Sequence, residues 1–319
     1  MSFYTGAGAS LQIGKESVFG TGVPPTELVD ITSESMKVSV EKGDEGSLLA
    51  SKTPQSRDLL GISAGGSVSF ILRPEFAGLL LHAALGGADV CAQVGATEKY
   101  THTLTLGGAN SALPSLTLVV DRKAAIKKYP GCTIASLSLD CAAGDYVKGS
   151  IELKGIKEET GTLNANLTGF TIPSYRCTSA TFTIGGATFD ISSASFKLDN
   201  ALEDAPKTYA SGLYPGQPAH GVRSVTISFE IPYSASVDNL KDTYLTTEAN
   251  ASVVLTFSSS NSDYSIKLTI PNLSINDIEA SVGGTGLISA TVSGEAISVG
   301  STEPLTIEVT DKTSTAYGA

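Results

Sequence analysis

Apolar and polar residues alternate along most of the chain, a pattern that turns one face of a strand toward a core and the other toward solvent or a neighbour. Met36, Val38 and Val40 alternate with Lys37, Ser39 and Glu41, and Val68, Phe70 and Leu72 alternate with Ser69 and Ile71. Leu116, Leu118 and Val120, then Leu137 and Leu139, then Ile151 and Leu153 continue the period in the first half. The second half shows it at Val225, Ile227, Phe229 and Ile231, then at Val253, Leu255 and Phe257 and at Ile266, Leu268 and Ile270. It closes with Ile278, Ala280 and Val282, then Ile288, Ala290 and Val292. Short strands at such regular spacing predict an all-β sandwich or barrel with little helix. Two helices interrupt them. Phe76, Leu79, Leu80, Ala83 and Ala84 form one apolar stripe, with Pro74 suited to the first turn and Gly86-Gly87 to the exit. Val237, Leu240 and Tyr244 form a narrower stripe, with Ser234 or Ser236 as the N-cap and Asp238 favourable to the helix dipole.

The same order of elements is written twice, about 160 residues apart, too long a period for a solenoid repeat of roughly 20–50 residues. Ser35-Met36-Lys37-Val38 leads through a long loop to Gly66–Phe70 and then Pro74-Glu75-Phe76-Ala77. Ser195-Phe196-Lys197-Leu198 leads likewise to Arg223–Ile227 and then Pro232-Tyr233-Ser234. Glycine turns at Ala142–Asp145 and Gly283–Gly286 close each copy as hairpins. The predicted loops, 44–66 and 201–222, exceed the roughly 12–15 residues usual in compact domains. They hold Leu59, Leu60, Tyr209, Leu213 and Tyr214 beside Lys52, Arg57 and Lys207, so they are read as contact surfaces rather than mobile tethers. Residues 1–30 read as an extended arm. The final strand, with Leu305, Ile307 and Val309, has no partner visible in sequence and is a candidate for pairing with another subunit.

Composition narrows the picture. The 319 residues suffice for two domains, each with its own core, and the formal charge of −11 without a basic run lacks the footprint of a nucleic-acid binder. The longest apolar stretch, Phe76–Leu85, is half of a bilayer span, so no membrane partner is expected. Met1–Gly6 lacks the features of an export signal. Cys132 and Cys141 lie too far apart on one strand to bond, and all four cysteines, with Cys91 and Cys177, read as free thiols. His82, His102 and His220 lack the spacing of a zinc site. No nucleophile elbow or phosphate-binding loop is present, and Asp140 and Glu152 read as solvated strand carboxylates. Neither enzyme nor cofactor is expected.

The segment Gly14–Thr21, then Val29–Ser35 entering the first strand, resembles the tail tube proteins of long-tailed bacteriophages. The strand, long loop, strand, helix order is similar to that family's domain twice over, and Pro304–Thr310 is similar to its terminal strand. The resemblance implies two tandem tail-tube-like β-sandwich domains, each with one flanking helix. Their expected bounds are 31–173, with a linker at 157–173, and 174–300, between an arm at 1–30 and a C-terminal strand at 301–319. It further implies a structural virion protein, assembled in the host cytoplasm, whose copies form stacked rings around a channel. The long loops would reach the adjacent ring, the tape measure and terminator proteins would be partners, and genomic DNA would pass an acidic lumen without tight binding. Family members usually form six-fold rings of single-domain subunits. Duplication here suggests three chains per ring, with six chains and an outward second copy as the alternative. Flexible and contractile tails both remain open. A surface adhesin or carbohydrate-binding module is the rival class, but the chain has no tryptophan and its 11 tyrosines are scattered.

Overall fold

The computed structural model describes residues 3–44, 53, 56–109, 111–205, 209, 211–280 and 286–318. Lys52, Lys207, Val282 and Gly283-Gly284-Thr285 lie outside the described residues. After a tight turn at Gly6–Gly8 come β1 (Ser10–Lys15), β2 (Glu27–Val29), β3 (Ile31–Glu34), β4 (Lys37–Asp44) and β5 (Arg57–Ile71). Helix α1 (Pro74–Leu85) precedes β6 (Gly86–Gln93), β7 (Tyr100–Leu106), β8 (Leu116–Asp121), β9 (Ile126–Ala142) and β10 (Lys148–Gly155). Then follow β11 (Glu159–Thr160), β12 (Tyr175–Ile184), β13 (Ala187–Thr188) and β14 (Ser193–Asp199). A small ladder of β15 (Leu202–Glu203) and β16 (Ala219–His220) leads to β17 (Ser224–Pro232). Helix α2 (Ala235–Leu240) runs into a π turn at Lys241–Leu245. The chain ends with β18 (Ala251–Ser259), β19 (Ser265–Ala280), β20 (Ser289–Ala296) and β21 (Thr306–Asp311).

The protein is all-β with minor α. Apart from β15 and β16, its strands join in one hydrogen-bonded antiparallel sheet. Within it the neighbour order β4–β5–β10–β9–β8–β1 recurs as β14–β17–β20–β19–β18–β12. Even the irregularities correspond. The ladder skips Ala135 of β9 opposite Glu152 and Leu153, and skips Asn276 of β19 opposite Ser293 and Gly294. A bulge adds twist and bends a strand, so one long strand serves two sets of neighbours. The first part of β9 pairs with β8, and its last part lies between β10 and β14. The first part of β19 pairs with β18 and β21, and its last part pairs with β20.

Several sequence expectations are corrected here. Residues 1–30 are not an arm: β1 pairs with β8 and β2, and buries Leu11 and Ile13. The C-terminal strand is not waiting for another subunit. β21 lies between β19 and β7 of its own chain, and Leu305, Ile307 and Val309 are fully buried. Its two partners sit far from it in sequence, which is why no partner was visible. Residues 57–66 are not loop but the first part of the 15-residue β5, hairpinned onto β4. That extension also displaces the matched segments: Lys37 faces Gly65 and Lys197 faces Thr226, so Gly66–Phe70 does not align with Arg223–Ile227. Val38 and Val40 lie exposed although Met36 is buried, because no second layer covers the projecting hairpin. The buried side chains of both halves touch in one continuous cluster.

Four connections hold the halves together. Strand β14 extends the sheet from β9, and β21 bridges β19 to β7. Cys141 and Cys177 are joined in a disulfide with a Cα separation of 5.6 Å, while Cys91 and Cys132 are free. The four-free-thiol reading therefore fails for one pair, because β12 returns beside the end of β9. Helix α1 supplies the fourth connection. Every residue but Glu75 is buried, so it is apolar all round rather than on one stripe. Gly86 closes it in the left-handed conformation with φ 67°. The second half supplies partners for its last carbonyls: Asn200 Nδ2 donates to Ala84 at 3.0 Å and an Arg223 guanidinium nitrogen donates to Leu85 at 2.7 Å. On another face, the Tyr317 ring occupies the space that a Cβ at Gly78 would need. Helix α2 is shorter; Val237 and Leu240 are buried as expected, but Ser234 makes no side-chain cap.

Candidate assembly interface

The residues picked out as contact candidates fall into two classes. Arg57, Leu59 and Leu60 sit on the outer part of the β4–β5 hairpin. Leu59 and Leu60 are 40% and 52% exposed, and the Arg57 guanidinium pairs with Asp44 at 2.9 Å. A leucine pair held this open on a hydrogen-bonded ladder is a preformed apolar patch, not a collapsed loop. Residues 211–218 lie beside the hairpin base, where the Ile62 amide donates to the Leu213 carbonyl at 2.8 Å. Lys157 reaches over the Tyr214 ring at 5.6 Å, and Lys154 bonds Asp204 at 2.9 Å. Between hairpin and loop lies a cleft of about 360 Å³ whose lining includes Phe19, Ile62, Leu213 and Pro215. Tyr209 is fully exposed, and Leu213 and Tyr214 are partly so. Leu305, Ile307 and Val309 do not join this surface.

Several strands, β6 among them, pair with one neighbour only among the described residues, and two of these open edges occupy equivalent places in the repeat. Strand β4 pairs only with β5, so its outer edge presents unpaired backbone groups together with Val38 and Val40. The last part of β19, Asp277–Ala280, pairs only with β20. Such edges template pairing with another strand unless something covers them. Their openness is invisible in sequence, since alternation reports which face is apolar and not which neighbour is present.

The polar clusters of the interior serve structure. Glu16 is buried and accepts four hydrogen bonds: from the Gly20 and Gly131 amides at 2.9 Å, Ser115 Oγ at 2.8 Å and Thr117 Oγ1 at 2.7 Å. His102 is fully buried on β7. Its Nδ1 donates to Asp89 at 3.1 Å and its Nε2 to the Thr313 carbonyl at 2.9 Å, with Asp311 3.5 Å away. Burial opposes the imidazolium, but the bonds to Asp311 and Thr313 and the charge of Asp89 outweigh it and lift the pKa to about 9. Tyr317 donates its hydroxyl to Asp311 and its amide to Asp89, and Lys15 Nζ donates to the Tyr317 carbonyl at 3.0 Å. The histidine with carboxylates suggests acid–base chemistry, yet it is sealed from solvent under the C-terminal segment. Asp140, the strand carboxylate noted in sequence, accepts from Ser195 Oγ at 2.6 Å across the β9–β14 junction. Among the described residues, no group of three or more His, Cys, Asp or Glu could hold a metal, and no helix is long and apolar enough to cross a membrane.

Comparison with known proteins points the same way as the open edges. A family described as phage tail tube protein matches residues 6–296, nearly the whole chain and both sets of repeated strands. No curated protein matches. An antiparallel chain with a projecting apolar hairpin, open strand edges and sealed polar clusters has the properties of an assembling part. The chain belongs to the phage tail tube protein family, a non-enzymatic structural component of the virion tail.

Proposed function

We propose that this protein is the major tail tube subunit, built from two tandem sandwich domains, and that three copies close a ring with pseudo-six-fold symmetry. Rings stack into a channel for the genome, with the tape measure and terminator proteins as further partners. The observation that carries this reading is the recurrence of one strand order, with its bulge, inside a single chain. The halves meet edge to edge through β9 and β14, a heterologous contact of the kind that generates rings. One such contact is made inside the chain, so each chain fills two ring positions. Image averaging of purified rings or tubes is expected to count three chains per ring. Six per ring would defeat the trimer, and a protein that stays monomeric at every concentration would defeat the tube. The net charge of −11 suits a lumen that does not retain phosphate backbones, and tubes are expected not to hold duplex DNA at physiological salt.

The hairpin, together with Tyr209 and residues 211–218, is assigned to ring-to-ring contact. Leu59 and Leu60 expose apolar surface on a rigid ladder, with Arg57 beside them, and Tyr209, Leu213 and Tyr214 offer the second patch. Leu59→Asp combined with Leu60→Asp is expected to leave single rings intact while shortening tubes in electron micrographs. Tubes of unchanged length would remove the hairpin from this role.

A further inference from the structure

The internal junction is a template for the contact between chains, and we infer from it a specific strand register: β4 of one copy pairs antiparallel with Asp277–Ala280 of β19 in the next. This rests on the ring reading above. At the internal junction, Leu198 of β14 lies opposite Leu137 of β9, Lys197 opposite Ser138 and Asp199 opposite Ser136. The shared bulge fixes the equivalence on one side, Ser136 and Leu137 corresponding to Asp277 and Ile278. The ladders to β5 and β17 fix it on the other, Lys37 and Val38 corresponding to Lys197 and Leu198. Carried over, Val38 falls opposite Ile278, Lys37 opposite Glu279 and Ser39 opposite Asp277.

Three independent features of the two edges agree with that register. Both edges are open in the chain where their internal counterparts are paired. Val38 is 39% exposed whereas Leu198, its counterpart inside the junction, is fully buried, so Val38 has the same apolar character without its cover. The register also sets a cation opposite an anion. Lys37 and Glu279 are exposed, and neither has an ion-pair partner among the described residues. Opposite charges directly across an antiparallel pair are favourable and like charges unfavourable. A second copy of this chain is therefore the occupant of each edge.

Charge exchange on the full-length chain tests the register. Lys37→Glu and Glu279→Lys are each expected to reduce ring formation by roughly tenfold, counted by sedimentation and negative-stain microscopy. The double exchange is expected to restore it to within about threefold of the parent. Both positions are exposed, so circular dichroism of the single variants is expected to match the parent. A second chain carrying Ser39→Cys and Asp277→Cys is expected to form inter-chain disulfides under mild oxidation, giving a ladder on non-reducing gels. If the parent forms rings but the double exchange fails to recover and no ladder appears, the register is wrong and the ring reading stands. If the parent forms no ring, both fall.

Discussion

Glu16→Ala is expected to cost about 3–5 kcal/mol of stability. The side chain is buried, and its two oxygens take two backbone amides and two hydroxyls. Alanine removes all four acceptor contacts at once, including those that hold the Gly20 and Gly131 amides. Each buried donor left unsatisfied costs roughly 1–3 kcal/mol. The loss spreads through the fold, because Glu16 ties the end of β1 to β8 and β9. Glu16→Gln keeps one acceptor oxygen but turns an amide NH2 toward donors, so it is expected to fall between alanine and the parent. Urea unfolding midpoints check this. A loss under about 1 kcal/mol for alanine would mean that water replaces the carboxylate and that the segment is not anchored as described.

Replacing His102 with alanine is expected to have a similar cost, about 3–5 kcal/mol, for a different reason. It leaves Asp89 and Asp311 buried without the cation between them. The same site makes stability depend on pH. Its folded pKa, about 9, lies above the ordinary 6.5, so the folded state holds the proton more tightly than the unfolded chain. The stabilisation is therefore fully present below about pH 6.5 and is lost as pH rises through about 9. The melting temperature of the parent is expected to fall across that window, and the fall is expected to shrink in His102→Ala. An imidazole proton signal titrating near 6.5 would show that the carboxylates do not hold the charge. The C-terminal segment is the part most exposed to this loss, since Tyr317 and Thr313 bond into the same cluster.

Much of the fold was legible because strand periodicity is local. The alternation at Val225, Ile227, Phe229 and Ile231, or at Ile266, Leu268 and Ile270, needs only a pleat with one buried face, and each of these residues is buried. The α1 boundaries were legible from Pro74 and Gly86. The contact residues were legible only in part. Leu59 and Leu60 stood out as apolar residues in an apparent loop, whereas Leu305, Ile307 and Val309 gave an equally apolar signal and lie in the interior. An apolar side chain seeks cover, and sequence does not say whether its own chain or another supplies it. The Cys141–Cys177 bond was missed for a related reason: spacing along one strand says nothing about which strand returns beside it.

By itself, then, the order of residues determined an all-β protein with two short helices, written as two similar runs, and its likeness to the tail tube family. Those properties depend on neighbours a few positions apart and on composition. Only the tertiary structure decided that residues 10–15 complete the first set of strands, that β21 is sealed between β19 and β7, and that β4 and the end of β19 each keep one edge open among the described residues. Each of these is a pairing between segments distant in the chain. Backbone hydrogen bonds are the same for every residue type, so the side-chain pattern restricts such pairings without naming them.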